Sequence, residues 1–178
     1  MSSIFRFIST AAILLTLLGA SAYEGTLVEA TPQAGFSGTT IALGRFGDIE
    51  VFNRAFLPGT SGSSFKNLWF AFEKTKGPSD LYVQNNTWAP GGTTGWHSHP
   101  GHSLIVVTAG EVTAYEGHDD HCTPHVYTVG QGFVDEGGNH VHVLRNEGSI
   151  EAKTVAVQLI PAAAMRRIDA AGNPNCLF

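Results

Sequence analysis

The chain has 178 residues, 43% of them apolar, and a formal net charge of −5. That length suits one core, and that apolar content excludes a disordered chain. No basic stripe interleaved with aromatic residues occurs, which excludes the usual nucleic-acid footprint.

The first 22 residues read as a secretory signal peptide. Arg6 supplies the charged start, Ile13 to Leu18 a short apolar core, and Ala20-Ser21-Ala22 a small-residue cleavage site before Tyr23. The apolar run is short for a membrane span, so the expectation is a secreted or periplasmic protein with no membrane attachment after cleavage. Loss of Arg6 leaves 9 cationic against 15 acidic residues, a mature charge of −6.

From Tyr23 onward the sequence predicts short strands: Thr26–Val28, Thr39–Leu43, Ile49–Phe52, Asn67–Glu73 and Leu81–Trp88. Leu57 to Ser64 reads as a flexible loop, and Ala89 to Gly95 as a turn. Leu104–Val107 is a β-branched run suited to a buried strand, and Val112–Tyr115 returns from it. Val126–Val129, Gly132–Val134, His140–Leu144 and Ala152–Ile160 supply further strands. Pro161 to Arg167 predicts a short helical turn. Many short strands with 21 glycines between them, no long amphipathic helix and no linker predict an all-β barrel or sandwich. Residues 23–178 then form one domain.

All eight histidines fall between His97 and His142. His97 and His99 are two residues apart, so on a strand they share a face. Histidine is the commonest protein metal ligand, and this pattern points to a metal centre. A second group, His118-Asp119-Asp120-His121 with Cys122 and His125, matches no metal-ligand spacing and reads as a solvated hairpin end. In an oxidising compartment Cys122 and Cys176 form an even pair, and a disulfide is the leading expectation. Two free thiols, or Cys122 as a soft ligand beside His121 and His125, are the alternatives.

Gly91, His97, His99 and Gly110 stand at the spacing of the first motif of the cupin superfamily, G-x5-HxH-x3,4-E-x6-G, with Ser103 where that motif has Glu. His142 and Asn146 match the end of the second motif. Its glycine and Pro-x-Gly positions are Gln131, Gly137 and Asn139. The stretch from Leu81 to Ile160 thus resembles a cupin, and more closely the small secreted bacterial cupins with a W-H-S-H-P-G signature. The resemblance implies a double-stranded β-helix, or jelly-roll barrel, holding one divalent metal ion through His97, His99 and His142. The ion is Fe, Zn, Ni, Mn or Cu, since imidazole ligation does not select among them. Ser103 is a poor ligand, so the family's carboxylate is missing. His102, Ser103 and His140 are candidates for an additional ligand or a supporting role, with His140 the competitor of His142. Trp96, Tyr82, Tyr115, Tyr127 and Phe133, with Leu104, are the expected apolar pocket. The resemblance implies a small-molecule metalloenzyme of dioxygenase type, or alternatively a Zn-, Ni- or Mn-dependent isomerase or lyase, or a non-catalytic binder of small ligands or sugars. Cupins often pair through sheet edges, so a homodimer is the implied assembly.

Overall fold

A computed structural model describes residues 31–56 and 68–178. The expected signal peptide, the Thr26–Val28 strand and the Leu57–Ser64 loop lie outside the described residues. Twelve strands and no helix occur among the described residues: β1 Ala34–Phe46, β2 Glu50–Phe56, β3 Leu68–Lys74, β4 Ser79–Thr93, β5 His97–Ser98, β6 Ser103–Ala109, β7 Glu111–Glu116, β8 His125–Thr128, β9 Gly132–Asp135, β10 His142–Arg145, β11 Ala152–Pro161 and β12 Ile168–Asp169.

Every pairing is antiparallel. One run of strands is β1-β4-β11-β6-β9, and a second is β12-β5-β10-β7-β8. They join at a single pair, Arg145 of β10 opposite Thr93 of β4. This is the jelly-roll barrel, the double-stranded β-helix that the cupin resemblance implies. β2 and β3 form a separate two-stranded hairpin.

The layering follows from residue alternation. Along β11 the residues Ala152, Thr154, Ala156, Gln158 and Ile160 are buried and their neighbours less so; β6 alternates likewise through Ser103, Ile105 and Val107. The core gathers Trp88, Ile105, Val112, Leu144 and Ala156, with Phe36, Tyr127 and Phe133 packed at its margin. At about 25 cal/mol per Å² of apolar surface, each such large side chain stabilises the barrel by roughly 2 kcal/mol. A smaller cluster of Trp96, Tyr115 and Val143 lies against Cys122 and Cys176. Those two cysteines form the expected disulfide. It fixes the C-terminal tail, whose Phe178 ring stacks on Trp96 at 6.4 Å and meets Tyr115 at 4.8 Å.

Two predictions of local structure are corrected. Ala89 to Gly95 is not a turn throughout, because β4 continues to Thr93 with Gly91 in the left-handed region at φ 75°. Glycine adopts that φ without a Cβ clash, so the strand bends without ending. Pro161 to Arg167 is not helical: Pro161 still belongs to β11, and a turn leads into β12. The segment is pinned by Ala163 N–H donating to Asp80 and by the Arg166 side chain donating to Gln158, Thr40 and Gln84. Those bonds to distant strands override the helix preference of three consecutive alanines.

Candidate metal centre

The site is assembled by strand pairing. β5 and β10 place His97 directly opposite His142, and their ring centroids are 4.5 Å apart. Direct cross-strand partners bring their Cβ atoms within about 5 Å, so this pair meets without help from loops. His99 lies two residues beyond His97, on the same side, with its ring 4.7 Å from that of His97 and 5.5 Å from that of His142. One ring nitrogen from each of the three lies within 4.8 Å of the other two.

Pro100-Gly101 turns the chain immediately after His99. A Cβ on Gly101 would meet the Leu159 carbonyl at 2.1 Å, and one on Gly137 would meet Gly101 itself at 2.2 Å. Only glycines let the segment after His99 pass between β11 and the turn that leads to His142. The two histidine motifs are therefore packed backbone to backbone.

The other nitrogen of each ring faces a carbonyl. His97 Nδ1 donates to Gly95 at 2.8 Å, His99 Nδ1 donates to Arg166, and His142 Nδ1 lies 3.4 Å from the His140 carbonyl. A carbonyl only accepts, so Nδ1 carries the proton and Nε2 keeps its lone pair. This is the tautomer and the outer support of metal-binding imidazoles. His97 and His142 are 4% exposed. Burial, reinforced by the neighbouring His142, Arg167 and His99, pushes His97 down to about 2. Burial pushes His142 down to about 4, against the opposing pull of Asp135. Both rings thus stay neutral at physiological pH, the state a metal requires.

The three histidines stand in a cavity of about 280 Å³. Its floor is apolar, with Phe36, Trp88, Ile105 and Leu144, and its wall carries Gln84, Gln158, Arg166 and Arg167. Arg167 pairs with Asp169 at 2.6 Å. Arg166 stacks over Tyr82, 4.0 Å from the ring centroid, and its three side-chain bonds go to neutral oxygens. Among the described residues no carboxylate pairs with it, so it presents a held positive charge to the cavity.

The expected aromatic shell is corrected. Trp96 and Tyr115 belong to the cluster beneath the C-terminal tail, because each is one residue from an inward position and alternation turns it to the opposite face. Tyr82 shares the inward parity but lies beneath Arg166. Tyr127 and Phe133 stack on each other at 4.4 Å at the margin of the core, and Leu104 is exposed. The aromatic residues that line the cavity are Phe36 and Trp88.

His102 is not among the converging groups. It points to the other side of the Pro100-Gly101 turn, where its Nε2 is 3.7 Å from Glu73. Ser103 does line the cavity, buried, with its hydroxyl 3.2 Å from Asp135. His140 has its Nε2 2.7 Å from Glu116 and its ring 5.5 Å from the exposed ring of His118. It does not line the cavity, though His142 stacks on it at 6.1 Å. In the Glu116–Pro124 loop, Asp119 accepts backbone N–H groups of His121 and Thr123, which hold its carboxyl at about 2. These bonds and the disulfide make that loop a stapled turn.

Sequence reading missed Asp135, Arg166 and Arg167. Alternation in β9 carried a signal for the first: Phe133 inward, Val134 58% exposed, Asp135 4% exposed. No local signal marks the two arginines, which reach the cavity only through the irregular segment after β11.

No protein-family profile matches the chain, and no curated protein matches it. Among solved structures, it is similar to an oxalate oxidase, at 24% identity and a TM-score of 0.39 over 46% of each chain. The aligned region thus spans about half the length of that relative. It is similar to a cupin superfamily protein from Desulfitobacterium hafniense, at 15% identity and a TM-score of 0.39 over 45% of this chain and 67% of the other. A protein with a double-stranded β-helix domain from Klebsiella pneumoniae is 24% identical, with a TM-score of 0.41 over 52% of this chain and 74% of its own. The cupin resemblance rests on this chain's own Gly91, His97, His99, Gly110, His142 and Asn146, set in a barrel of that architecture.

Proposed function

We propose that residues 23–178 form an exported cupin domain that binds one divalent metal ion through His97, His99 and His142. Its activity is that of a small-molecule metalloenzyme of dioxygenase type. The observation that carries the reading is the set of three imidazoles that line one cavity, each with Nδ1 turned to a carbonyl. Three such donors fit Fe, Zn, Ni, Mn or Cu and leave coordination positions open. Such an ion supplies Lewis acidity and, for iron, electron exchange with O₂.

The chain's own residues define the rest. Arg166 and Arg167 favour a small anionic substrate at the cavity wall. The apolar floor holds the organic part of that substrate and excludes water around the reacting atoms. Export is supported by the N-terminal pattern and agrees with the disulfide. A homodimer is supported by the β2–β3 hairpin, which leaves Phe52, Phe56, Phe70 and Phe72 more than half exposed. An isolated hairpin of this kind gains stability by covering such a surface.

The test is metal content by mass spectrometry in untagged protein and in the His97→Ala/His99→Ala variant, followed by oxygen uptake on a panel of diketones, thiols and phenolics. About one ion per chain in the parent, lost in the variant, together with substrate-dependent uptake, is the expected result. Metal-free protein that still binds a small ligand would overturn the enzyme reading in favour of a binding protein.

A further inference from the structure

Three neutral imidazoles leave the full charge of a divalent ion uncompensated in a buried site, which is costly. Ser103, on the strand that follows the His97–His99 turn, offers that charge no carboxylate. Directly across the β6–β9 ladder from Ser103 stands Asp135. Its side chain is 3% exposed, and its Oδ2 lies 3.6 Å from His99 Nε2. Its Oδ1 faces the protonated Nδ1 of His142 at 3.6 Å, so Oδ2, beside His99 Nε2, is the atom at ligand spacing. Neighbouring ligands on one tetrahedral ion with bonds of about 2.1 Å are roughly 3.4 Å apart.

Asp135 has its own unmet need. Its hydrogen-bond partners are the Gly137 N–H at 3.0 Å and the Ser103 hydroxyl at 3.2 Å. Among the described residues no lysine or arginine pairs with it. A buried carboxylate without a cation is as costly as a buried cation without a carboxylate, and each supplies what the other lacks.

We propose that Asp135 is the carboxylate ligand of this metal centre, delivered from the strand beside the one that carries Ser103. The inference rests on the three-histidine reading above. Ser103 then serves as the hydroxyl that orients Asp135, and the Gly137 N–H fixes its rotamer.

The test is Zn²⁺ affinity, read by competition with a chromophoric chelator, on the full chain and three variants. Asp135→Asn keeps an acceptor for Gly137 and nearly the same shape, and circular dichroism checks its fold. It is expected to weaken Zn²⁺ binding at least about tenfold more than Ser103→Ala, since loss of an outer hydrogen bond alone costs about 10- to 100-fold. A smaller difference overturns the assignment. His97→Ala/His99→Ala separates the two readings. If it leaves binding intact, the three-histidine centre fails; if it abolishes binding while Asp135→Asn does not, only the role of Asp135 fails. Should Asp135→Asn not fold, a structure of the Zn²⁺-loaded parent decides. An Asp135 oxygen within about 2.2 Å of the ion supports the proposal, and one still directed at Ser103 with the ion held elsewhere overturns it.

Discussion

Removing the Cys122–Cys176 bridge, as Cys122→Ser/Cys176→Ser, tests how the tail is held. The bridge closes a loop with a sequence separation of 54. In the chain-entropy treatment such a cross-link lowers the entropy of the unfolded chain by about 14 cal/mol/K, or about 4 kcal/mol at room temperature. The folded tail keeps other anchors: Asn173 donates to the Glu116 and Asp119 carbonyls at 3.0 and 2.7 Å, and Arg145 lies 4.0 Å over the Phe178 ring. The native geometry therefore survives, and the loss falls mainly on the unfolded state. For a chain of this size, about 4 kcal/mol corresponds to a drop in Tm of roughly 8–16 °C. The assay is thermal unfolding by circular dichroism in the presence of a chelator, comparing the non-reduced parent with the double variant. A drop below about 3 °C would refute the unfolded-state account. Two alkylatable thiols in the non-reduced parent would refute the bridge itself.

Two further outcomes are expected. Asn146 is 1% exposed; it donates to the Trp88 and Ile150 carbonyls at 3.1 and 2.7 Å and accepts the Gly148 N–H at 3.0 Å. Asn146→Ala leaves those buried groups unmet and is expected to lower stability by about 2–4 kcal/mol in urea unfolding, with a loss under about 1 kcal/mol counting against it. Asp80 accepts a bidentate pair of bonds from Arg45 at 2.7 and 2.8 Å, and these with the Ala163 N–H hold its carboxyl at about 2 against an ordinary 3.8. A lowered folded value means stability that is full above the unfolded value and is lost as pH falls toward 2. The parent should therefore exceed Asp80→Asn in stability at neutral pH, with the gap closing between pH 4 and pH 2; a gap independent of pH in denaturant titrations would contradict the pairing.

By itself the sequence determined what short-range rules govern. Alternation in β6 and β11 marks an inward and an outward face, and two-residue spacing sends His97 and His99 to one side. The cysteine pair is legible from composition and the expected compartment, and the His142–Asn146 ending from its resemblance to the end of the second cupin motif. Whatever depends on which strands become neighbours was not legible. Aromatic residues look alike whether they line a cavity or face a tail, so the sequence alone does not separate Trp96 and Tyr115, which face the tail, from Phe36 and Trp88, which line the cavity. Asp135 reaches the histidines because β9 pairs with β6 in a register that sets it opposite Ser103, 32 residues away. Arg166 enters the cavity because distant strands hold the chain after β11. Strand pairing brings together residues remote along the chain, and hydrogen bonds between backbones carry no mark of side-chain identity. The charge environment of the site was therefore decided by the tertiary structure.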